Sequence, residues 1–434
     1  MTIRYDDVLE KVLAVVEGHA AFANLDEVVI VRDLRGGVRL ALRGRESETE
    51  RASLDSALEQ ALGPWHGGAP LSTADHKAKT LAQHIVDKAE DWPAQWPQTW
   101  VDPTGGSHDL TPEKWKHVQR VLAKEDWVRS DRAGPPWELH AKTPTVVAFY
   151  SFKGGVGRST ALGIVAWQLA KAQKRVLAID LDLEAPGLGG LFGIPPVSAR
   201  PGVLDWLVEH GVGQRPALQG AGTQPSMLCP VRVHGVSFDV IPAGDVDTRS
   251  YLEKLARLDY HQSVESKTSP VKEGLKELLQ AVRRMSPAPD YILLDARAGF
   301  HDIGGLSLTT LAHVDVIVAR QAAATEPGLR LTVEMLKQRR KLEDQLLVFG
   351  QAFAPPARAS DPEPAERRAF SELVAKLLPP EAPRPVCLEE NADIARAFTL
   401  HDIQPTTLAG ASGYSELVQQ IEMLATPPPS GTSP

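Results

Sequence analysis

The run Phe152-Lys153-Gly154-Gly155-Val156-Gly157-Arg158-Ser159-Thr160 stands between an apolar stretch, Thr145–Tyr150 (TVVAFY), and a helical pattern over Ser159–Lys174. That helix would carry Leu162, Val165, Ala166, Leu169 and Ala170 on one face. Glycines in a strand-to-helix turn let the backbone wrap so that its N–H groups converge, and the helix N-terminus adds its dipole. Together these bind phosphate oxygens. Gly154, Gly155, Val156, Gly157, Arg158, Ser159 and Thr160 are therefore expected to bind a nucleotide, with Ser159 offering its hydroxyl to Mg2+ and Thr160 near the α-phosphate. The bland alternative is a glycine-rich turn with no ligand.

Two acidic motifs weigh against that alternative. Asp180-Leu181-Asp182 follows the apolar run Arg175–Ile179, and Asp295 closes Asp290-Tyr291-Ile292-Leu293-Leu294-Asp295. Ligands of open α/β sheets bind at the C-terminal ends of strands. Paired carboxylates there can serve a metal ion and an attacking water. An aspartate that ends an apolar strand can hold Mg2+ through a water. Asp295 thus joins Ser159 as an expected metal-side residue, and Asp180 and Asp182 are candidates for the metal and the water, while ordinary turn or N-cap aspartates are the competing reading. Further strands are expected at Phe238–Ile241, Val314–Ala319 and Leu346–Phe353, with helices between several of them. Continuous apolar strands alternating with helices indicate an α/β domain over residues 144–426, with a doubly wound, mostly parallel sheet covered on both faces.

Upstream the pattern is different. Residues 1–90 read as a small α+β module, with a helix over 1–16, a hairpin of Glu27–Arg32 and Gly37–Arg43, and a helix over 48–62. Residues 91–143 form a segment rich in Trp and Pro that ends in a linker. Its indoles are either stacking platforms for a ligand or anchors onto neighbouring domains. Residues 427–434 read as a disordered tail.

Composition removes several function classes. The chain has 434 residues, 43% hydrophobic and 24% charged, with a net charge of −8. Any contact with DNA would need a local basic patch. Cys229 and Cys387 stand alone, which argues against a disulfide scaffold or a zinc or iron–sulfur motif. No apolar run approaches the ~20 residues of a membrane span. The acidic, periodic N-terminus lacks the parts of a signal peptide, so a cytoplasmic location and no membrane insertion are expected.

The segments KGGVGRST, DLDLEAPGL and DYILLDARAG together resemble the ParA/MinD branch of P-loop ATPases. More closely they resemble its KGGVGR-motif variant group, with a deviant Walker A loop in which arginine replaces the P-loop lysine. The resemblance covers residues 144–425 and does not reach residues 1–140. It implies a P-loop NTPase domain using ATP and Mg2+. It implies that Lys153 binds nucleotide across a dimer interface, that Asp180 lies near Mg2+, and that Asp182 orients the hydrolytic water. It implies that the Gly299 region is a switch sensing the γ-phosphate. This chain departs from the usual loop at Phe152, where a glycine is common, and at Arg158. Arginine is planar, longer and always charged, so the exchange for lysine is not conservative. It can still pair bidentately with phosphate, so binding should survive while hydrolysis slows. Arg297 is either a third catalytic group beside Lys153 and Asp182, acting as an arginine finger in cis, or a structural ion pair with an acid such as Asp302.

Several biological roles fit such an ATPase. A nucleotide-dependent homodimer could serve as a regulatory switch or scaffold, with residues 1–140 binding a protein partner. Alternatively it could position cargo on DNA, for which Lys337-Gln338-Arg339-Arg340-Lys341 is the best basic segment; a solvated helix end is the plain reading of that run. A nucleotide-binding module with little hydrolysis is the third reading. His301 suggests an acid or base, though a supporting histidine is the simpler assignment.

Overall fold

The computed structural model describes residues 3–33, 35–93, 96–102, 104–119, 124–128, 134–139, 143–195, 200–220, 226–258, 269–339, 346–378 and 384–425. The chain divides into two compact units, the first built from Met1–Leu122 and the second from Ala123–Val128 and Arg132–Pro434. The tail from Pro427, half of the expected linker at 129–144 and much of the basic run at 337–341 lie outside the described residues.

In the first unit, strands β1 (Leu25–Arg32) and β2 (Val38–Gly44) form the expected antiparallel hairpin. The sheet also takes in β3 (Leu71–Ser72), β4 (Glu90–Asp91) and β7 (Trp115–Gln119), in the order β3-β2-β1-β7-β4. A separate small pair, β5 (Thr99–Val101) and β6 (Ser107–Asp109), lies between them in the chain. Alternation along β1 sorts its side chains. Val28 and Ile30 pack with the helices Val8–Glu17 and Glu48–Leu62, while Val29 packs with Ala82 and Val86 of Lys79–Lys88. Because β7 runs parallel to β1, this unit extends past residue 90, where the sequence pattern placed its end. The tryptophans act as anchors. Trp115 is 1% exposed and donates to Glu17 at 2.7 Å, Trp92, Trp96 and Trp100 pack on the same core, and Trp127 and Trp137 belong to the core of the second unit.

The second unit is a doubly wound sheet of eight strands. They are β8 (Thr145–Tyr150), β9 (Val176–Asp180), β10 (Cys229–Val233), β11 (Val236–Ile241), β12 (Tyr291–Asp295), β13 (Val314–Ala319), β14 (Leu346–Ala354) and β15 (Val386–Glu389). Their order is β10-β11-β9-β12-β8-β13-β14-β15, parallel throughout except for the β10–β11 pair. Successive residues of β8 enter opposite cores: Val146, Ala148 and Tyr150 on one face, Val147 and Phe149 on the other. The helices Arg158–Lys171 and Tyr414–Ala425 cover the second face. Val203–His210, Pro270–Arg283, Glu326–Arg339 and Ala365–Leu377 cover the first. Burial on both faces explains why these strands read as continuous apolar runs. Among the described residues, no helix is long and apolar enough to cross a membrane.

Candidate nucleotide site

Three strand ends define the site. β8 leads into the glycine loop, β9 ends at Asp180 and β12 ends at Asp295. Register sets Asp295 opposite Asp180 on one side and Phe149 on the other. The chain leaves β8 for strands on one side and later returns to β13 on its other side, so the sheet's winding reverses here. Such a reversal opens a crevice at the strand C-termini. In the loop, Gly155 and Gly157 have φ of +72° and +78°, and a Cβ on either would meet nothing within 4 Å. The left-handed backbone, rather than crowding, calls for glycine.

Arg158 begins the following helix and is 9% exposed. Its Nε donates to Asp295 at 2.6 Å, and its Nη2 donates to Asp182 at 3.1 Å. Ser159 Oγ donates to the other Asp295 oxygen at 2.6 Å. On the far side of Asp182, Arg297 Nη1 donates at 3.1 Å, while its Nη2 pairs with Glu184 at 3.0 Å. Glu184 also meets His301 Nε2 at 2.7 Å. Ser159, Asp295, Arg158, Asp182, Arg297, Glu184 and His301 thus form one continuous polar chain across the strand ends. Asp302 is not the partner of Arg297; it is bound by Lys124.

The remaining expected residues sit differently. Asp180 is buried and accepts backbone N–H bonds from Asp182, Gly187 and Leu188 at 2.9–3.1 Å, so its carboxylate shapes the loop that follows β9. Lys153, Gly154 and Gly155 are exposed, and the Lys153 ammonium stands 5.3 Å from the Phe152 ring centroid. Val156 is buried and Thr160 half-buried. Phe152, the departure from glycine, is held between Phe300, with centroids 5.2 Å apart, and Gly328, where a Cβ would lie 2.2 Å from its ring. Sequence reasoning missed Glu184 and Gly328. Glu184 follows Asp182 at the next alternate position, a spacing that could have flagged it; Gly328 carries no local signal.

Burial, and then the neighbouring Asp295, push the Asp180 carboxyl up to about 7. Burial likewise raises Asp295, against the pull of Arg158 and Ser159. Burial opposes the charge of Arg158, yet Asp295 and Asp182 outweigh it and its pKa rises. The guanidinium is therefore firmly charged and neutralises two buried acids.

Among the described residues, no three His, Cys, Asp or Glu side chains converge to hold a metal ion. A P-loop magnesium does not require such a cage, since it takes a hydroxyl, waters and phosphate oxygens. Ser159 Oγ and Asp295 are hard oxygen donors of that kind, side by side at 2.6 Å. The donor set fits Mg2+ once Arg158 moves off Asp295.

The AAA domain family AAA_31 matches residues 144–188, the span from β8 through the aspartates after β9. Among curated proteins, the chain is 40% identical over 77 residues to an iron–sulfur cluster carrier protein of Pseudomonas fragi, covering 17% of this chain and 26% of that relative. It is 25% identical over 295 residues to the chromosome partitioning protein ParA of Caulobacter vibrioides, covering 65% of this chain and 96% of the relative. Among solved structures, the cell division ATPase MinD of Pyrococcus furiosus aligns at 19% identity with a TM-score of 0.45, over 64% of this chain and 99% of that one. Residues 144–188 are thus similar to an AAA domain, and 65% of the chain is similar to a ParA protein.

Proposed function

We propose that residues 144–426 bind ATP with Mg2+ and hydrolyse it slowly as a nucleotide-sandwich dimer, a switch or scaffold for a protein partner held by residues 1–140. The observation that carries the reading is the polar chain from Ser159 to His301, which gathers a hydroxyl, three acids, two arginines and a histidine beside a glycine loop at the strand ends. In this reading Arg158 turns from Asp295 and Asp182 onto the β- and γ-phosphate oxygens, pairing bidentately. The backbone amides of Gly154–Ser159 cradle the phosphates. Ser159 and Asp295 would hold Mg2+, which would supply positive charge against the phosphates. Asp180 supports this metal side through the loop it caps. Asp182, freed from Arg158, accepts a hydrogen bond from the attacking water and aims it in line. Arg297 sits one residue-pair away and stabilises charge gathering on the transferred group. Exposed Lys153 reaches the nucleotide of the second copy.

Slow turnover is the expectation from the Arg158 contacts. Every binding event exchanges two buried ion-pair contacts of Arg158 for phosphate contacts, so part of the phosphate affinity is offset before chemistry begins. The test is mass measurement with ADP, ATP and a non-hydrolysable analogue, together with phosphate release across a range of protein concentrations. Dimerisation with the analogue alone, and turnover per subunit that rises with concentration, are expected. Turnover independent of concentration would remove the sandwich, and equal turnover by Asp182→Ala would remove the role of Asp182. ATP-dependent, salt-sensitive binding to duplex DNA would favour the partitioning role over the protein-partner role.

A further inference from the structure

The loop that follows β12 is braced by chain that lies upstream of the glycine-loop domain. Lys124 donates to Asp302 from both its backbone amide and its ammonium, the latter at 2.6 Å. Trp127 is 4% exposed and donates from its indole N–H to the His301 carbonyl at 2.7 Å. Its ring meets Phe300 edge-on with centroids 5.1 Å apart, and Tyr150 at 5.7 Å. A Cβ on Gly305 would stand 2.7 Å from the indole nitrogen, so that glycine forms the socket. On the other side Asp126 pairs with Lys272 of the helix Pro270–Arg283 at 2.9 Å. Three consecutive residues, Phe300, His301 and Asp302, are thus gripped by a single short turn, Glu125–Val128 with Lys124 before it.

Two features make the grip more than packing. Lys124 has φ of +65°, a left-handed conformation that a lysine holds only when its surroundings impose it. The bond from its own amide to Asp302 is one of those constraints, so loss of Asp302 lets the backbone relax. The gripped residues also continue directly from Arg297 and Gly299. The Gly299 N–H is bonded to the Ser151 carbonyl of the glycine loop at 3.0 Å, and its carbonyl accepts from Tyr150. A shift of Gly299 therefore pulls on Asp302 and His301.

We propose that Lys124 and Trp127 are positioning residues that hold residues 297–302 in the arrangement that pairs Arg297 with Asp182 and Glu184, and that nucleotide binding, which needs Asp182 free, releases them. This rests on the reading of that loop as the nucleotide-sensing switch. Binding and release are reciprocal. Weakening the brace must tighten nucleotide binding by the same factor that nucleotide loosens the brace, roughly five- to 150-fold for couplings of ordinary size.

Hydrogen exchange followed by peptide, with and without a non-hydrolysable ATP analogue, tests this on the full chain. In the wild type the analogue should slow exchange at 152–160 and speed it at 124–128. Asp302→Asn and Lys124→Ala should show fast exchange at 124–128 before any nucleotide is added and should bind the analogue at least fivefold more tightly. Lys124→Arg should restore wild-type values through its retained charge. Trp127→Phe keeps the ring in its socket while removing the N–H, and gives an intermediate result if the indole bond contributes. Protection of 152–160 with no change at 124–128, or unchanged affinity in folded Asp302→Asn, overturns the brace and leaves the nucleotide site standing. No protection of 152–160 by any nucleotide defeats the nucleotide reading, and the brace as a nucleotide-released device falls with it.

Discussion

Arg158→Met removes the charge that balances two buried acids while keeping an unbranched chain of similar reach. In the wild type Arg158 bonds Asp295 at 2.6 Å and Asp182 at 3.1 Å, and Asp295 is fully buried. Removing one partner of a buried ion pair costs about 3–5 kcal/mol, because the other charge stays behind without compensation. A kcal/mol moves the midpoint of a unit of this size by about 2 °C, so the variant should unfold roughly 6–10 °C lower at pH 8. The pH dependence gives the sharper check. Without the guanidinium, the folded-state pKa of Asp295, already raised by burial, rises further. The folded state then holds a proton that the unfolded chain has lost, so the penalty grows as pH rises toward the folded pKa and shrinks as pH falls toward the unfolded value near 4. Thermal unfolding followed by circular dichroism at pH 8 and pH 5.5 reads both effects. Arg158→Lys, which keeps a charge but has one ammonium to share between the acids, should fall between wild type and the Met variant. A penalty below about 1 kcal/mol at pH 8, or an equal penalty at both pH values, would refute the view that Arg158 balances Asp295 and Asp182.

Three more outcomes follow from particular residues. Asp180, pushed up to about 7 by burial and by Asp295, should make stability decline as pH rises from near 4 toward 7, since the native state keeps the proton that the unfolded chain releases; Asp180→Asn should flatten that slope in pH-dependent melting curves, and an unchanged slope counts against the assignment. Gly328→Ala drives a methyl into the Phe152 ring, an overpacking of about 1–3 kcal/mol, and should weaken binding of a fluorescent ATP analogue; Phe152→Leu in the same chain should recover much of the loss, and no recovery would place the defect elsewhere. Lys153→Ala should leave the unfolding free energy within about 0.5 kcal/mol of wild type, because the side chain is exposed, yet abolish the concentration dependence of turnover; a stability loss would show that Lys153 serves its own subunit.

Much of the second unit is legible without coordinates. Apolar runs such as TVVAFY and VDVIVA are strands because a parallel sheet buries both of their faces, and β13 occupies the residues that its pattern marks. The glycine loop and its two aspartate motifs fall at strand ends because the βα alternation requires it. The first unit is less legible. Its hairpin is local and reads directly, but β7 pairs in parallel with β1 across a long intervening stretch, and no short-range pattern encodes that partnership. Nor does the Trp-rich segment announce that Trp115 and Trp127 serve different cores.

For the site the division is similar. The sequence alone determined which residue types stand at the ends of β8, β9 and β12, because element period and motif spacing are properties of neighbouring positions. Only the tertiary structure decided where the charges go. Arg158 reads as a phosphate ligand by position, yet in the fold its partners are Asp295 and Asp182, brought near by sheet register. Asp180 reads as the twin of Asp182, yet burial and three backbone amides turn it into a loop support. Glu184, Gly328 and the Lys124–Trp127 brace entered the site through contacts between residues far apart in the chain. Which opposite charges meet depends on distances of a few ångströms, and those are set when separate strands and helices pack together rather than by their order along the chain.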